Sequence, residues 1–319
     1  MLRYIVRRLL LMIPTLLGIT LIVLFFITIV PGDPVDFILG TLAEEWEKEE
    51  LRVALGLRDP FPVRYVNYIG NILKGDFGTS YRTSRPVINE ILLRFPYSLM
   101  LVSISMGISL CIGIPLGIIA ATNHNSWKDN ASIFVSLFFV SMPGFWFALL
   151  MIQFFSVRLG WFPPSGVDTW QGWVLPCVSA SLSFAATIAR QTRSNMLEVI
   201  RQDYITTARA KGQVERVIKY RHALKNAIIP VIMVVGGIFG MAMGGSMISE
   251  VIFSIPGLGS YSLAALQSRD FPVIQGSVLF MSTLFAFVLL FIDIAFSIVD
   301  PRIRAQYGRK KEKARKEAA

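Results

Sequence analysis

Residues 203–230 read DYITTARAKGQVERVIKYRHALKNAIIP, a polar and basic stretch that lies between two long apolar segments. The whole chain has 319 residues, of which 54% are hydrophobic and only 16% are charged. Soluble domains carry about 25% charged residues, because they need a polar surface against water. The sequence therefore predicts an integral membrane protein in which residues 203–230 form an exposed insert.

Long apolar runs without Asp, Glu, Lys or Arg occupy most of the chain. Each holds about 20 residues or more, which is enough to cross a hydrocarbon core of about 30 Å at about 1.5 Å per helical residue. A backbone in lipid must satisfy its own hydrogen bonds, so each run is predicted to be helical. We therefore predict an all-α membrane protein with six transmembrane helices. The six runs are 9–30, 95–127, 130–157, 169–189, 226–249 and 271–292.

Lysine and arginine are distributed unevenly between the segments that connect these runs. Residues 1–8, Lys128, residues 190–225 and the segment after Asp300 hold 3, 1, 9 and 8 of them, which is 21 of the chain's 31. All four segments fall on one side of the membrane if the spans alternate in direction. Because basic residues are retained on the inner side, both termini are predicted to face the cytoplasm.

The predicted spans divide the chain into four parts. Within the second part, an extracytoplasmic loop, Leu42, Trp46, Val53 and Leu57 recur at spacings compatible with a short amphipathic helix. Pro62 is suited to begin a second helix. The parts are the N-terminal cytoplasmic end with the first span, the loop, the core with spans two to six, and a basic cytoplasmic tail, over residues 1–31, 32–94, 95–300 and 301–319.

The chain lacks the sequence motifs of common enzymes. It contains no G-x-x-x-x-G-K-[ST] phosphate loop, no H-E-x-x-H and no G-x-S-x-G. Only His124 and His222 offer imidazole ligands, and Cys111 and Cys177 lie in apolar runs, so no metal site or disulfide framework is predicted. The net charge of +10 falls between the apolar runs rather than on one soluble face, which argues against a nucleic-acid partner.

These absences favour a non-catalytic subunit that binds no cofactor and receives its energy from another protein. A membrane enzyme remains an alternative, although no nucleophile or metal cluster supports it. A channel or a secondary carrier is another alternative, but the spans lack the series of buried carboxylates and histidines expected of a proton-coupled carrier.

The polar segment 190–227 is longer than a connection between neighbouring helices, which takes about 2–8 residues. Its apolar residues predict a helix over 194–211, and Gly212 is suited to the left-handed conformation that ends a helix. A second helix is expected over 215–229, ending at Pro230. This helix, break, helix arrangement would present a short rigid element to a cytoplasmic partner. The apolar residues at near-helical spacing are Met196, Leu197, Ile200, Tyr204 and Ala208.

The fifth span carries Gly236, Gly240 and Gly244 at four-residue spacing. Small residues at this spacing allow helix backbones to approach closely in lipid. The spacing predicts tight helix packing along this face. It is also compatible with a gate in which backbones slide past one another.

The polar segment resembles the cytoplasmic signature of the permease subunits of binding-protein-dependent ABC importers. That signature is E-A-A, three residues, Gly, and then I-x-L-P after nine more. Ala208, Gly212 and Leu224 match it, whereas Thr206, Thr207, His222 and Lys225 depart from it. The departures are similar to those of the dipeptide, oligopeptide and glutathione permeases. The signature of that subgroup is close to D-Y-I-x-T-A-R-A-K-G followed by R-H-A-L-x-N-A-x-x-P.

Further matches to this subgroup extend the resemblance over essentially the whole chain. The segment YIVRR near the N-terminus and the PGDP motif resemble the first of the two permeases that such systems use. The matching segments are YIVRR at 4–8, PGDP at 31–34, GDFG at 75–78, FSIPGLG at 253–259, DFPV at 270–273 and DPRIR at 300–304.

The resemblance implies a type I ABC importer permease in a bacterial cytoplasmic membrane. Its partners would be a second related permease, two cytoplasmic ATPase subunits that use ATP and Mg²⁺, and an extracytoplasmic peptide-binding protein. Its substrates would be dipeptides, oligopeptides or glutathione, and related permeases for nickel and other small solutes are the alternative. The segment 190–227 would hold a coupling helix that docks on the ATPase, with the coupling residues Asp203, Tyr204, Thr207, Ala208, Gly212 and His222.

Overall fold

The computed structural model describes residues 2–29, 33–40 and 42–299, with side chains over 5–29, 33–40 and 42–294. Outside them lie the predicted basic tail 301–319, the DPRIR motif and the first two residues of the PGDP motif.

Regular structure in the described residues is helical, apart from an isolated β-bridge between Thr79 and Pro86. The all-α prediction is therefore confirmed. Two π-helical segments, Ile152–Arg158 and Ile218–Ala223, follow α7 and α10. In chain order, helices α1 to α14 are Leu2–Ile29, Pro34–Leu39, Glu45–Ala54, Phe61–Leu73, Val87–Thr122, Trp127–Ser141, Gly144–Met151, Trp170–Ile200, Asp203–Ala210, Glu215–Val217, Leu224–Gly245, Met247–Ile252, Leu258–Gln267 and Phe271–Val299.

Five helical segments of the described chain are long and apolar enough to cross a membrane. They are Ile5–Ile29, Val87–Thr122, Trp170–Ile200, Glu215–Gly245 and Phe271–Ile294. The predicted span over 130–157 differs, because it is bent by 97° between α6 and α7. Six spans are reached if this bent pair counts as one.

The bend has a local cause at the Met142–Pro143 peptide. A residue that precedes proline is disfavoured in the helical region because the proline ring collides with its backbone. Met142 accordingly takes an extended conformation with φ −80° and ψ 128°, which ends α6. The helix resumes at Gly144 in a new direction.

The chain forms two compact units. The first comprises the described residues of 1–100 and 243–286, and the second those of 101–242 and 287–299.

In the first unit, the predicted loop contains helices α3 and α4. Both predicted short helices are present, with α4 beginning one residue before Pro62. The predicted apolar face of the first is not formed, because Leu42 and Leu57 lie outside α3 and Trp46 and Val53 are exposed.

Helix α4 lies beside the first span: the Tyr65 hydroxyl donates to the Leu17 carbonyl over 2.7 Å, and Phe61 meets Phe25 edge-on at 6.3 Å between ring centres. Leu17 is near the middle of α1, so α4 follows the span rather than standing away from it.

A buried carboxylate connects several segments of this unit through hydrogen bonds. Glu250 is fully buried in α12, and its Oε1 accepts hydrogen bonds from the hydroxyls of Ser98 and Ser246, both at 2.7 Å. The Ser260 N–H donates to Oε2 at 2.8 Å. A side chain at Gly257 would overlap this carboxylate, which accounts for the glycine in the FSIPGLG turn.

In the second unit, α5 and α8 run in the same direction with their backbones in close contact. The Ser109 hydroxyl donates to the Ser181 carbonyl over 2.8 Å. A Cβ added at Gly113 would lie 2.7 Å from the Ala185 carbonyl oxygen. One turn further, a Cβ at Gly117 would lie 2.5 Å from the corresponding oxygen of Ala189. Small residues at four-residue spacing thus allow this contact.

Candidate coupling site

Helix α9 forms the centre of the candidate coupling site in the second unit. The prediction of one helix over 194–211 is wrong, because α8 continues to Ile200 and a two-residue break separates it from α9. Within the break, Gln202 has φ −74° and ψ 149°. This extended ψ cannot continue an α-helix, so the chain changes direction before Asp203.

Gly212 ends α9 as the sequence predicts. Its φ is +72°, in the left-handed region that non-glycine residues avoid. The Gly212 N–H donates to the Arg209 carbonyl at 2.9 Å, and the Gln213 N–H donates to the Ala208 carbonyl at 3.3 Å. This pair of hydrogen bonds is the Schellman motif, which satisfies carbonyls at a helix C-terminus.

The inner face of α9 is apolar and buried. Ile205 is 0% exposed and Ala208 is also buried. Both belong to a hydrophobic cluster contributed by α5, α8, α9, the second π-helical segment and α11. The other buried members are Ile118, Ala121, Met196, Ile218, Ala223 and Ala227. Because the cluster draws on all of these elements, α9 is fixed to the helices that cross the membrane.

The helical phase of α9 differs from the predicted one. Tyr204 was expected on the apolar stripe with Ile200, but its side chain is 44% exposed and Ile205 is buried in its place. The break after Ile200 causes the shift, because two non-helical residues rotate the following helix relative to α8. A sequence pattern read as one continuous helix cannot show this rotation.

Polar contacts hold both ends of α9. The Asn226 side-chain amide donates to the Tyr204 hydroxyl at 2.9 Å, which ties the start of α9 to α11. Arg209 forms an ion pair with Glu215 at 2.8 Å, which closes the loop that follows α9. Both contacts are exposed, so they orient the loop more than they stabilise it.

The solvent-exposed face of α9 is available to a partner. Asp203 and Thr207 are exposed and lie one helical turn apart, and the Thr207 hydroxyl donates to the Asp203 carbonyl at 3.0 Å. Gly212 is exposed as well. His222 is half-buried in the second π-helical segment. The structure therefore brings Asp203, Tyr204 and Thr207 together on α9, whereas Ala208 faces the inner cluster and supports the surface from beneath.

A buried ion pair braces α8 ten residues before α9. Arg193 contacts the Asp129 carboxylate through two hydrogen bonds of 2.6 and 2.9 Å, and Asp129 is 1% exposed. The Asn125 N–H and His124 Nδ1 lie 3.0 Å from the same carboxylate. Sequence reasoning missed this pair. Its one signal was an acidic residue at the start of an apolar run.

The second predicted helix also differs from the structure. Helix α10 leads into the π-helical segment and then into α11, which continues through Pro230 to Gly245 instead of ending at the proline. A proline removes one backbone hydrogen bond, and membrane helices tolerate this loss when neighbouring groups compensate.

The predicted glycine stripe on α11 is in contact at one end. A Cβ at Gly236 would overlap the Ile292 side chain on α14, and Gly240 is buried. Gly244, in contrast, is exposed and would place its Cβ more than 4 Å from any neighbour. The packing prediction thus fits Gly236 and does not extend to Gly244, and a gate at this stripe stays a prediction.

Two families match the chain along most of its length. Residues 113–305 match the inner membrane component of binding-protein-dependent transport systems. Residues 1–102 match the N-terminal part of a membrane component of such systems. The first match alone covers more than half of the chain. The chain belongs to this family.

Relatives of the permease match it over nearly its whole length. The dipeptide transport system permease protein of Alkalihalophilus pseudofirmus is 40% identical over an alignment 332 residues long, which covers 95% of this chain and 100% of the relative. The glutathione transport system permease proteins of Pectobacterium atrosepticum and Escherichia coli K12 are each 40% identical over 304 residues, covering 95% of this chain and 99% of the relative.

A solved structure of the MetNI methionine ABC transporter in an inward-facing conformation matches the permease with a TM-score of 0.57 at 19% identity. The match covers 66% of this chain and 96% of that chain, and it shows the fold. The family match and these relatives show that the permease is an integral protein of a bacterial inner membrane and belongs to a family of transport proteins rather than enzymes. Among its described residues, no group of three or more His, Cys, Asp or Glu side chains is placed to hold a metal ion.

Proposed function

We propose that this permease is the first permease subunit of an ATP-driven importer that carries peptides, either dipeptides, oligopeptides or glutathione, into the cytoplasm. Full-length relatives with 40% identity are permeases of dipeptide and glutathione systems, which supports a peptide substrate. The place as first subunit of the pair rests on the YIVRR segment and the PGDP motif.

The importer contains three further kinds of subunit in this proposal. A second, related permease pairs with this chain, two ATPase subunits dock on the cytoplasmic side, and a binding protein delivers peptide from outside. ATP and Mg²⁺ act on the ATPases, and the permease itself binds no cofactor. Both termini and α9 face the cytoplasm, in keeping with the basic residues of 1–8 and 190–225.

Helix α9 transmits motion from the ATPases to the permease. The observation that carries this proposal is the division of α9 into an exposed face with Asp203 and Thr207 and a buried face with Ile205 and Ala208. A partner that holds the exposed face and moves must also move the buried face. Because packed interiors resist deformation, the hydrophobic cluster passes this displacement to α5, α8 and α11.

The close contact between α5 and α8 carries the displacement further into the membrane. At Gly113 and Gly117 no side chain separates the backbones, so the two helices are expected to move together. Shifts of whole packed helices, rather than local bending, are a common way in which small displacements at one site are amplified.

Reconstitution tests the proposed function. The permease is placed in proteoliposomes with its second permease and ATPases, and uptake of a labelled dipeptide and of labelled glutathione is measured with the binding protein outside. We expect uptake of at least one peptide that requires both ATP and the binding protein. A control uses an ATPase variant that binds but does not hydrolyse ATP. If the intact assembly takes up neither peptide class in the presence of ATP, the proposed function is wrong.

A further inference from the structure

A cavity of about 190 Å³, lined by both polar and apolar side chains, lies in the first unit beside α4. Arg64, Asn67, Tyr68 and Asn71 line it. Their spacing places them on one face of α4, next to the face that contacts α1, and Leu24 of α1 also lines the cavity. Across the cavity lie Tyr81 and residues at the start of α14, including Gln275.

Several polar side chains around this cavity have no hydrogen-bond partner among the described residues. The Tyr68 hydroxyl is buried and has no hydrogen-bond partner among the described residues. The side chains of Asn67, Asn71 and Gln275 form no hydrogen bond within the described part of the chain. Buried polar groups are nearly always hydrogen-bonded, so the orphaned Tyr68 hydroxyl indicates that another molecule supplies its partner. The amides of the exposed Asn67 and Asn71 are free to contact the same molecule.

Arg64 is the cation that lines the cavity, and it has no ion pair with a described carboxylate. Two nearby arginines that line the adjoining cleft differ in this respect. Arg52 is paired with Asp33, Glu45 and Glu49, and Arg58 is paired with Glu49, in a network of salt bridges that is only partly exposed. The pairs measure 2.6, 2.6 and 3.0 Å for Arg52 and 2.6 Å for Arg58.

The two phenol hydroxyls can donate hydrogen bonds to a ligand. Burial raises the pKa of Tyr68, and it raises the pKa of Tyr81 to about 12, so both hydroxyls keep their protons at neutral pH. A guanidinium, two phenol hydroxyls and side-chain amides form a set of donors around one positive charge. This set matches a carboxylate, which accepts several hydrogen bonds and favours arginine.

We propose that this cavity binds a carboxylate group, with Arg64 as its ion-pair partner and Tyr68 as a hydrogen-bond donor. The cavity has the volume of about six water molecules at about 30 Å³ each, which is sufficient for a carboxylate and the atoms beside it. Asp59 also lines the cavity, but it is exposed, so solvent screens its charge. The exposed side chains of Asn67 and Asn71 leave the cavity open to a ligand from outside the chain.

The proposed function offers two sources of such a carboxylate, and the inference rests on that function. One is the C-terminal carboxylate of a peptide substrate, and the other is an acidic side chain of the binding protein. The chemistry at Arg64 is the same in both cases.

Binding measurements without ATP test the site on the full-length permease, held in nanodiscs with its partner subunits. One arm measures the affinity of alanyl-alanine and of its C-terminal amide. The other arm measures the affinity of the peptide-loaded binding protein. Arg64→Gln is expected to weaken one of these affinities about tenfold or more, because hydrogen bonds to charged groups contribute about 1.5–3 kcal/mol.

The two arms identify the source. The site is assigned to the substrate if the wild type binds the dipeptide more tightly than its amide and Arg64→Gln abolishes this difference. The site is assigned to docking if Arg64→Gln makes the affinity for the binding protein weaker and less dependent on salt. Unchanged affinities in both arms overturn the proposal. Absence of uptake by the wild-type assembly would contradict the proposed function instead, because these measurements do not depend on transport.

Two further variants keep the test specific. Arg82→Gln removes an exposed arginine of the same connecting segment that does not line the cavity, and it is expected to leave both affinities unchanged. Tyr68→Phe removes a single hydroxyl with little change in shape, so it tests the site even if Arg64→Gln assembles poorly. Its expected effect is a two- to tenfold loss of affinity, about that of one hydrogen bond.

Discussion

The side-chain amide of Asn226 on α11 donates a hydrogen bond of 2.9 Å to the hydroxyl of Tyr204 on α9. This bond joins the candidate coupling helix to a membrane-spanning helix at the point where α9 begins. Beneath it, Ile205 and Ala208 enter the hydrophobic cluster. The coupling helix is thus attached by a buried apolar face and oriented by polar contacts at its rim.

Replacing Gly212 tests the turn that ends α9. Gly212→Val places a β-branched residue at φ +72°, where the left-handed conformation costs roughly 1–2 kcal/mol or more. No neighbour lies within 4 Å of the added Cβ, so the effect comes from the backbone alone. We expect normal membrane insertion but weaker association with the ATPases and slower uptake.

The matched control is Gly160→Val, because Gly160 also has positive φ and open space around it but lies far from α9 in sequence. Co-purification of the ATPases with each variant separates the two sites. Equal association in both variants would remove Gly212 from the coupling role.

Truncating Ile205 tests the buried attachment. Ile205→Ala deletes a side chain that is 0% exposed, which is expected to destabilise the packing of α9 by about 2–5 kcal/mol, whereas Ile205→Val is expected to cost about 0.5–1.5 kcal/mol. Hydrogen exchange of α9 reports the local opening. Val214→Ala, at a residue that is 69% exposed, serves as the control. If Ile205→Ala leaves exchange in α9 as slow as in that control, the cluster does not hold the helix.

Adding a methyl group at Gly117 tests the contact between α5 and α8. In Gly117→Ala the new Cβ would lie 2.5 Å from the Ala189 carbonyl oxygen, so the helices must separate. We expect a clear loss of thermal stability and of transport. Gly107→Ala, on the same helix with open space at the Cβ, should have little effect or increase stability. Similar melting temperatures for the two variants would argue against the close contact.

Breaking the Asp129–Arg193 pair tests the brace on α8. Arg193→Met leaves the Asp129 carboxylate buried without its cation, and loss of one partner of a buried pair costs about 3–5 kcal/mol. Because Arg193 is 22% exposed, the lower end of this range is expected. The double variant with Asp129→Asn should recover part of the loss. A double-mutant cycle of thermal stability checks this, and strictly additive effects would contradict the coupling of the two residues.

The sequence predicts the apolar spans and the end of α9 well, because both depend on local chemistry. Apolar runs of sufficient length define membrane helices whatever surrounds them, and Gly212 takes the conformation that glycine allows. The bend at Met142–Pro143 could also have been predicted, since proline restricts the preceding residue. The continuous apolar run instead led to the prediction of one unbroken span.

Features that depend on tertiary contacts were not predictable in the same way. The break at Gln202 has no strong sequence signal, and it decided whether Tyr204 or Ile205 faces the interior. Gly113 and Gly117 have the same four-residue spacing as the α11 glycines, yet only the structure shows that their partners are Ala185 and Ala189. Spacing identifies candidate contacts, whereas the facing helix determines which of them form.

The most direct test of the coupling role of α9 is thiol cross-linking between Thr207→Cys and the ATPase subunit. Thr207 is exposed on the outer face of α9, and Cys111 is the exposed native thiol, so the chain without the substitution reports the background. We predict a cross-link from Thr207→Cys that changes in yield when ATP is bound. We predict none from Lys74→Cys, an exposed position after α4 in the other unit. A cross-link from Lys74→Cys, or none above background from Thr207→Cys in an assembly that transports peptide, would contradict the coupling role of α9.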